Sequence, residues 1–570
     1  MRHTKKICAV LLGLTTSVFS LHRRNKNLLT IPPQIHSANG TLRTTITLEL
    51  ATVDFGGKND TVLRTRLLNG IFPGPTLILQ PGDTIEVQFV NKLDLEGLGF
   101  VNNEFSAPDE SNLHFHGLFI SGELPSDDST YVIAPGDSYT YRTQLPPEHM
   151  GGTHWLHPHR HGSSALQTGG GAVGAVIVSD PPGTLPEVVA YARDVLFLVQ
   201  PMDLPRLQRL AEQSNDVHFS YTSSRVRSNN KLDQGKHNAN EGPNSGSDTQ
   251  GARVAFIAVN GMLEPTLFVE AGEWIRVRII FATWLKGTLD WEVPGCELVL
   301  LAKDGIYIAD FPRPITVAPI VPGGRADILM RCPAPNTVYT IRAHGGSRTI
   351  GFIETGTRVH PSSDLPSWSP RYPSYLTNLV DTPATPGCIC ATEFDGVNAV
   401  NGRSYRSNTV LHQSRLGDVV ERRISVRDHP YHQHVYPFQL VSGRFGDDTN
   451  TYNAIGDWHD SISGEGVFRY QPTKYVGKVM VHCHQLKHED QGMMTTELVV
   501  ARHEATPVLQ RETCRCTKHY RESMVGLMPG IVLLGAVGLL FGLFSLWLYR
   551  RYRRRGYFPV TTRKEHRRTP

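Results

Sequence analysis

The sequence predicts an all-β chain made of three copies of one sandwich-sized unit, followed by a single transmembrane helix. Short alternating strands bounded by turns fill most of the 570 residues, in keeping with 52 Gly and 38 Pro. One pattern recurs: Asn-Gly, a Pro-Thr-Leu strand, Gly-Asp or Gly-Glu, then a second alternating strand. It reads RLLNGIFPGPTLILQPGDTIEVQFVN in the first copy and AVNGMLEPTLFVEAGEWIRVRI in the second. A weaker third copy, AVNGRSYRSNTVLHQSRLGDVVERRISV, starts at Ala399. Repeats this far apart are too long for a solenoid, and each has the size of a β-sandwich. Finally, the chain carries no charge from Met524 to Tyr549.

Arg2, Lys5 and Lys6 precede an apolar run from Ile7 to Phe19, which reads as a secretory signal peptide over residues 1–20. The first unit covers 41–180, with TLRTTITLEL, PTLILQPGDTIEVQFVNKL and GAVGAVIVSDPP as its clearest strands. A second unit covers 181–360. It is interrupted by the polar stretch 213–251, which holds too few large apolar residues to order itself and is expected to be a disordered loop. A Pro/Ser-rich linker, 361–386, leads into the third unit, 387–501, and a polar stalk, 502–523. Residues 524–549 are long enough for a tilted membrane-spanning helix. Arg550, Arg551, Arg553, Arg554 and Arg555 open a basic tail, 550–570, which the positive-inside rule places in the cytosol. The expectation is a single-pass type I protein of the cell surface or an endomembrane, its bulk extracellular or lumenal.

At 39% hydrophobic and 19% charged, most of the chain can bury a core. A net charge of +4, much of it at the two ends, gives no case for a nucleic-acid partner. Six cysteines, Cys296, Cys332, Cys388, Cys390, Cys514 and Cys516, suit disulfides in an oxidising compartment. We expect Cys388 and Cys390 to pair with Cys514 and Cys516. Asn39 and Asn59 lie in N-x-T sequons and are candidates for glycosylation.

Histidine is the unusual count, at 25 residues, many of them paired. The densest stretch is VMVHCHQLKHEDQGMM, with His482, Cys483, His484, His488 and Met493. In a strand, His482 and His484 face one side and Cys483 the other, so one strand serves two metal sites. Two His, one Cys and a weak axial Met are the ligands of a blue-copper centre. The plain alternative is a buried free cysteine beside surface histidines. Three further clusters argue against it: His114 and His116 in NLHFHGLF, His157 and His159 in GTHWLHPHRHG, and His429, His432 and His434 in HPYHQHVYPF.

With these motifs, HxHG, W-x-H-x-H, HPxHxH and HCHxxxHxxxxM in order, the chain from Thr41 to Ala501 resembles the multicopper oxidases. The resemblance implies three consecutive cupredoxin-like Greek-key β-sandwich domains and four coppers, which take electrons singly from a small reductant and reduce O2 to water. It implies a type 1 copper on His429, Cys483 and His488 with Met493 axial, and a type 2 copper on His114 and His432. The type 3 pair would take His116, His157, His159, His434, His482 and His484. Acids near the cluster in relatives correspond to Glu489 and to Asp127 or Asp128, as proton suppliers or anchors.

The expected reductant is Fe(II) or another low-valent metal ion, with the phenols or aromatic amines of laccases as the alternative. A metal ion would want carboxylates near His429 and His488, and Asp428, Glu489, Asp457 and Asp460 are the candidates. By analogy with anchored ferroxidases, a metal permease is a possible partner. A non-enzymatic cupredoxin-like surface or copper-binding protein would have lost histidines from these motifs, and here all ten and Cys483 are present. Two departures stand out. Val435-Tyr436 replaces the usual Gly-His, and His154 and His161 are additional.

Overall fold

The computed structural model describes residues 27–502, except 57–60, 95, 98, 223–255, 344, 362 and 446–450, together with 515–516. The expected signal peptide, transmembrane helix and basic tail lie outside the described residues, as do Asn59 and Cys514. No helix among the described residues is long and apolar enough to cross a membrane.

Strands dominate, as the turn-rich alternating sequence predicts. The first third, with Ser220–Thr222 added from the middle third, forms two five-stranded sheets. One runs, in spatial order, Gln34–His36, Thr76–Leu79, Gly174–Val178, Gly152–His157 and His114–His116. The other runs Ser220–Thr222, Val62–Leu68, Thr41–Asp54, Thr84–Asn91 and Ser138–Gln144. Alternation sets the inward faces: in Thr84–Asn91, Ile85, Val87 and Phe89 are buried, and they join Leu42, Ile46 and Phe115 in one core. The middle third builds an eight-stranded and a three-stranded sheet, and the last third a ten-stranded sheet.

The threefold repeat has a physical basis in its Asn-Gly turns. Asn69-Gly70, Asn260-Gly261 and Asn401-Gly402 all have positive φ at both residues, the type I′ geometry that Asn-Gly favours. In each copy the asparagine Oδ1 accepts a backbone N–H at 2.8 Å, from Thr47, Leu198 and Glu393 respectively. The side chain therefore repeats three times the same bracing bond, to the strand that pairs with the one entering the turn.

Three expectations need correction. The polar stretch begins in order rather than disorder. Gln213 closes the helix Leu204–Gln213, and Ser220–Thr222 pairs with Val62–Leu68. The linker is anchored, because Tyr375, Leu376 and Leu379 are buried in the main core. Part of the stalk, Arg515–Cys516, adds to the last sheet beside Val410–Arg415. Cys296 and Cys332 are joined by a disulfide. Cys388 and Cys390 each take part in a disulfide as well, and no described residue identifies their partners.

Near that edge a buried ion network ties the last sheet together. Glu497 bonds to Arg422 and Tyr470 and lies 3.6 Å from His412. Burial pushes the Glu497 carboxyl up, but Arg422 and His412 outweigh it and hold it at about 2. A depressed folded value means this stability is present above the ordinary value of 4.5 and is lost as pH falls towards 2. We expect Glu497→Gln to destabilise the protein by about 3–5 kcal/mol at neutral pH, since it strands the Arg422 charge. Its unfolding free energy should change less than the wild type's between pH 5 and 2. A denaturant series over that range checks both, and an unchanged midpoint at pH 7 would refute the first.

Candidate metal centre

Two strand pairs carry the histidines. His114–His116 runs antiparallel to Gly152–His157, with His114 opposite His157. In the last sheet, Val420–Gln433 pairs with Gly477–Cys483, so that Tyr431 opposes Cys483 and His432 opposes His482. This register brings one histidine from each strand side by side, and it puts Cys483 on the opposite face. His488 follows on the short helix Leu486–Asp490.

On the Cys483 side three donors converge. Cys483 Sγ lies 3.6 Å from His429 Nδ1 and 3.9 Å from His488 Nδ1, and the two Nδ1 atoms are 3.2 Å apart. Met493 is fully buried beside them, its N–H bonded to His488 O at 2.8 Å and its carbonyl to Cys483 N at 3.1 Å. Burial pushes the Cys483 thiol up, so the thiolate needs a cation to form there. His429 alone of the three is half-buried.

On the other side eight histidines close around one space. His159 Nε2 and His434 Nε2 each approach His482 Nε2, at 3.1 and 3.2 Å. His114 stacks on His434 with ring centres 4.0 Å apart, and His116 on His432 at 3.8 Å. Within His114, His116 and His157, and within His159, His434 and His482, the donor atoms all lie within 4.8 Å of one another. Burial holds His114, His116, His157, His159, His434, His482 and His484 well below the ordinary imidazole value, so these rings are neutral.

The second ring nitrogen of most of these histidines is occupied. His114 Nδ1 meets Asp127 Oδ2 at 2.8 Å, His157 Nδ1 meets Pro158 O at 2.9 Å, and His432 Nδ1 meets Asp460 O at 2.9 Å. Their Nε2 atoms are buried without a hydrogen-bond partner, as are His116 Nδ1 and both nitrogens of His484. Neutral imidazoles with orphaned, inward-facing lone pairs fit a group of metal ions, and imidazole with thiolate suits copper.

Three stretches, residues 52–183, 208–362 and 373–503, each match the multicopper oxidase family. The chain belongs to the multicopper oxidase family. Multicopper oxidase mco of Staphylococcus aureus is 22% identical over 435 residues, covering 75% of this chain and 82% of that protein. Copper resistance protein A of Escherichia coli is 26% identical over 337 residues, 54% of this chain, and the match spans only 49% of that relative's length. In fold, the chain matches the McoA multicopper oxidase of Aquifex aeolicus with a TM-score of 0.62 at 20% identity, over 83% of this chain and 99% of that one. Membership makes the protein an oxidoreductase with copper as its cofactor.

The oxidase separates the nominated acids. Asp127 touches the cluster through His114, and its other oxygen accepts Phe115 N–H at 3.2 Å. Asp128 does not. It accepts from Thr130 N at 2.9 Å and Thr130 Oγ1 at 2.6 Å, a local turn. Glu489 is fully buried, bonded by Ser164 Oγ at 3.1 Å, with Oε1 3.6 Å from His159 Nδ1.

Of the four acids proposed beside His429 and His488, three are elsewhere. Asp457 is bound to Lys303 and Arg313 at 2.5 and 2.7 Å. Asp460 and Glu489 face the eight-histidine space. Only Asp428 stands at the rim, 3.6 Å from Lys286 Nζ. The additional histidines are not in the cluster either. His161 bonds Asn103, and His154 is buried against Gly117 and Gly305.

Val435 adopts φ 64°, left-handed geometry that explains the usual glycine. A β-branched residue there costs about 1–2 kcal/mol. Sequence reasoning missed Arg325, Ser461 and Asp490, none of which carries a local spacing signal. It also gave no role to Trp155, which stacks on His157 at 4.2 Å.

Proposed function

We propose that the chain folds as three cupredoxin-like Greek-key domains holding four coppers, and oxidises a small reductant at a type 1 site while O2 is reduced to water at a trinuclear site. His429, Cys483, His488 and Met493 would hold the type 1 copper. His114 and His432 would hold type 2, and His116, His157, His159, His434, His482 and His484 the type 3 pair. Bound copper supplies the one-electron steps and the surface on which O2 is reduced.

The observation that carries this reading is Cys483. Its sulfur meets His429 and His488 on one side, while its chain neighbours His482 and His484 lie among the cluster histidines on the other. One short backbone thus joins electron entry to oxygen reduction. The buried Glu489 and Asp127 carboxyls, both pushed up by burial, stand ready to hold and give protons beside the cluster.

For the reductant, our first reading is Fe(II) or another low-valent metal ion. Asp428 is exposed next to His429, and Asp395 acts on the same imidazole. Hard cations favour such oxygen donors. Lys286, at the same rim, supports a second reading in which a phenol or phenolate approaches instead. We keep the anchored type I topology at the cell surface or an endomembrane as part of the proposal, with a metal permease as its partner.

Steady-state kinetics with Fe(II), Cu(I) and a phenol under matched conditions decide between the readings. If a metal ion is the substrate, Lys286→Ala should raise kcat/KM for Fe(II) by about two- to fivefold, the scale of an exposed ion pair. A fall for the phenol instead, with no change for Fe(II), would end the metal-ion reading.

A further inference from the structure

Among the described residues, the middle third supplies no histidine to the cluster, yet one of its side chains grips an acid beside it. Arg325 is fully buried and uses all three of its nitrogens. Nε donates to Thr153 O at 3.2 Å, and Nη1 to Asp460 Oδ1 at 2.8 Å and Gly323 O at 3.3 Å. Nη2 donates to Asp460 Oδ2 at 2.6 Å and Asp304 O at 3.0 Å. Thr153 belongs to the strand Gly152–His157 of the first third, and Asp460 to the last third. One guanidinium therefore ties together all three parts of the chain at the histidine space. A Cβ on Gly117, directly after His116, would collide with this guanidinium, so the glycine of the HxHG motif makes room for it.

The acid that Arg325 clamps touches histidines from both sides. Asp460 Oδ1 lies 3.3 Å from His116 Nε2, and the Asp460 carbonyl accepts His432 Nδ1 at 2.9 Å. Ser461 Oγ donates to Asp460 Oδ1 at 2.8 Å and lies 3.1 Å from His432 Nδ1. A carboxylate gripped by two N–H donors can only accept, so it selects the His116 tautomer with its proton on Nε2. His116 then offers Nδ1, which is buried without a partner, whereas His114, His157 and His432 offer Nε2. The reversed ring lies stacked on His432.

We propose that Arg325 is a positioning residue for the copper cluster: through Asp460 it sets which nitrogen of His116 faces the metal and fixes His116 against His432 across the boundary between the first and last thirds. The proposal rests on the trinuclear reading above. A cation from the ligand-free middle third would thereby govern the oxygen-reducing site without touching it or the type 1 donors.

The test uses the full-length, copper-loaded protein with Arg325→Met, Arg325→Lys and Asp460→Asn. Copper content, the blue absorption of the type 1 site and the type 2 electron paramagnetic resonance signal are measured for each. The expected result for Arg325→Met is an intact blue band with copper affinity at the cluster reduced about 10–100-fold and an altered type 2 signal. Arg325→Lys should recover part of both, because it restores charge but not the two-pronged grip. Wild-type copper content and type 2 signal in Arg325→Met would overturn the proposal and leave the trinuclear reading standing. If that variant yields no blue protein, Asp460→Asn decides. An altered type 2 signal beside an intact blue band supports the proposal, and an unaltered one overturns it. Absence of a type 2 signal in the wild type would instead remove the reading beneath it.

Discussion

Cys483→Ser is expected to give a folded, colourless protein whose oxygen uptake falls to less than about one-thousandth of the wild type's with every reductant, a barrier increase of about 4 kcal/mol. The serine is nearly isosteric, and the site is shaped by its neighbours. Tyr431 pairs with Cys483 in the sheet, and Met493 O takes its N–H. The sheet has no reason to unfold. What is lost is the soft donor between His429 and His488, which an alcohol cannot replace for copper. Absorption spectroscopy, an oxygen electrode and a thermal melt on one preparation check all three parts. A variant that stayed blue, or kept a tenth of its turnover, would remove Cys483 from the centre of the account.

Glu489→Gln should separate electron entry from oxygen chemistry. Burial first, and then Asp490, pushes the Glu489 carboxyl well above its usual range, which favours its protonated form. Oε2 is buried without a hydrogen-bond partner and lies 4.0 Å from His482 Nδ1. Ser164 Oγ orients the other oxygen at 3.1 Å. Its neighbour Asp490 holds the segment in place by accepting Gly162, Ser164 and Ala165 N–H at 2.7, 3.2 and 2.8 Å. Glutamine keeps the shape and loses the exchangeable acid. We expect turnover to drop about 10²–10⁴-fold, the range for a positioned proton donor, with the blue band and its anaerobic reduction unchanged. Stopped-flow reoxidation by O2 isolates the step, and wild-type reoxidation across pH 5 to 8 would exclude Glu489 from it.

The histidine motifs were legible because their chemistry is local. Residues two apart on a strand share a face, and His482, Cys483 and His484 divide between two spaces as that periodicity demands. The Asn-Gly turns were legible for the same reason, since two consecutive left-handed residues suit few other pairs. Acids were not legible, because which of them is buried depends on partners far along the chain. Asp457 was a fair candidate for the rim until Lys303 and Arg313, more than a hundred positions away, drew it inside. Asp460 meets Arg325 across 135 positions, and no spacing rule reaches that far. Asp127 and Asp128 could not be told apart because only the turn geometry decides which faces His114. The polar stretch misled at its start because Ser220–Thr222 finds an open strand edge, which composition does not register.

His429 is half-buried, while all the histidines of the eight-histidine space are sealed. On the proposed function, a donor has to graze one imidazole edge rather than fit inside the protein. Size and shape would then exert little selection among small reductants. Discrimination falls to redox potential and to the charges bordering that edge, so this oxidase could change diet through one or two surface substitutions while its interior stays the same.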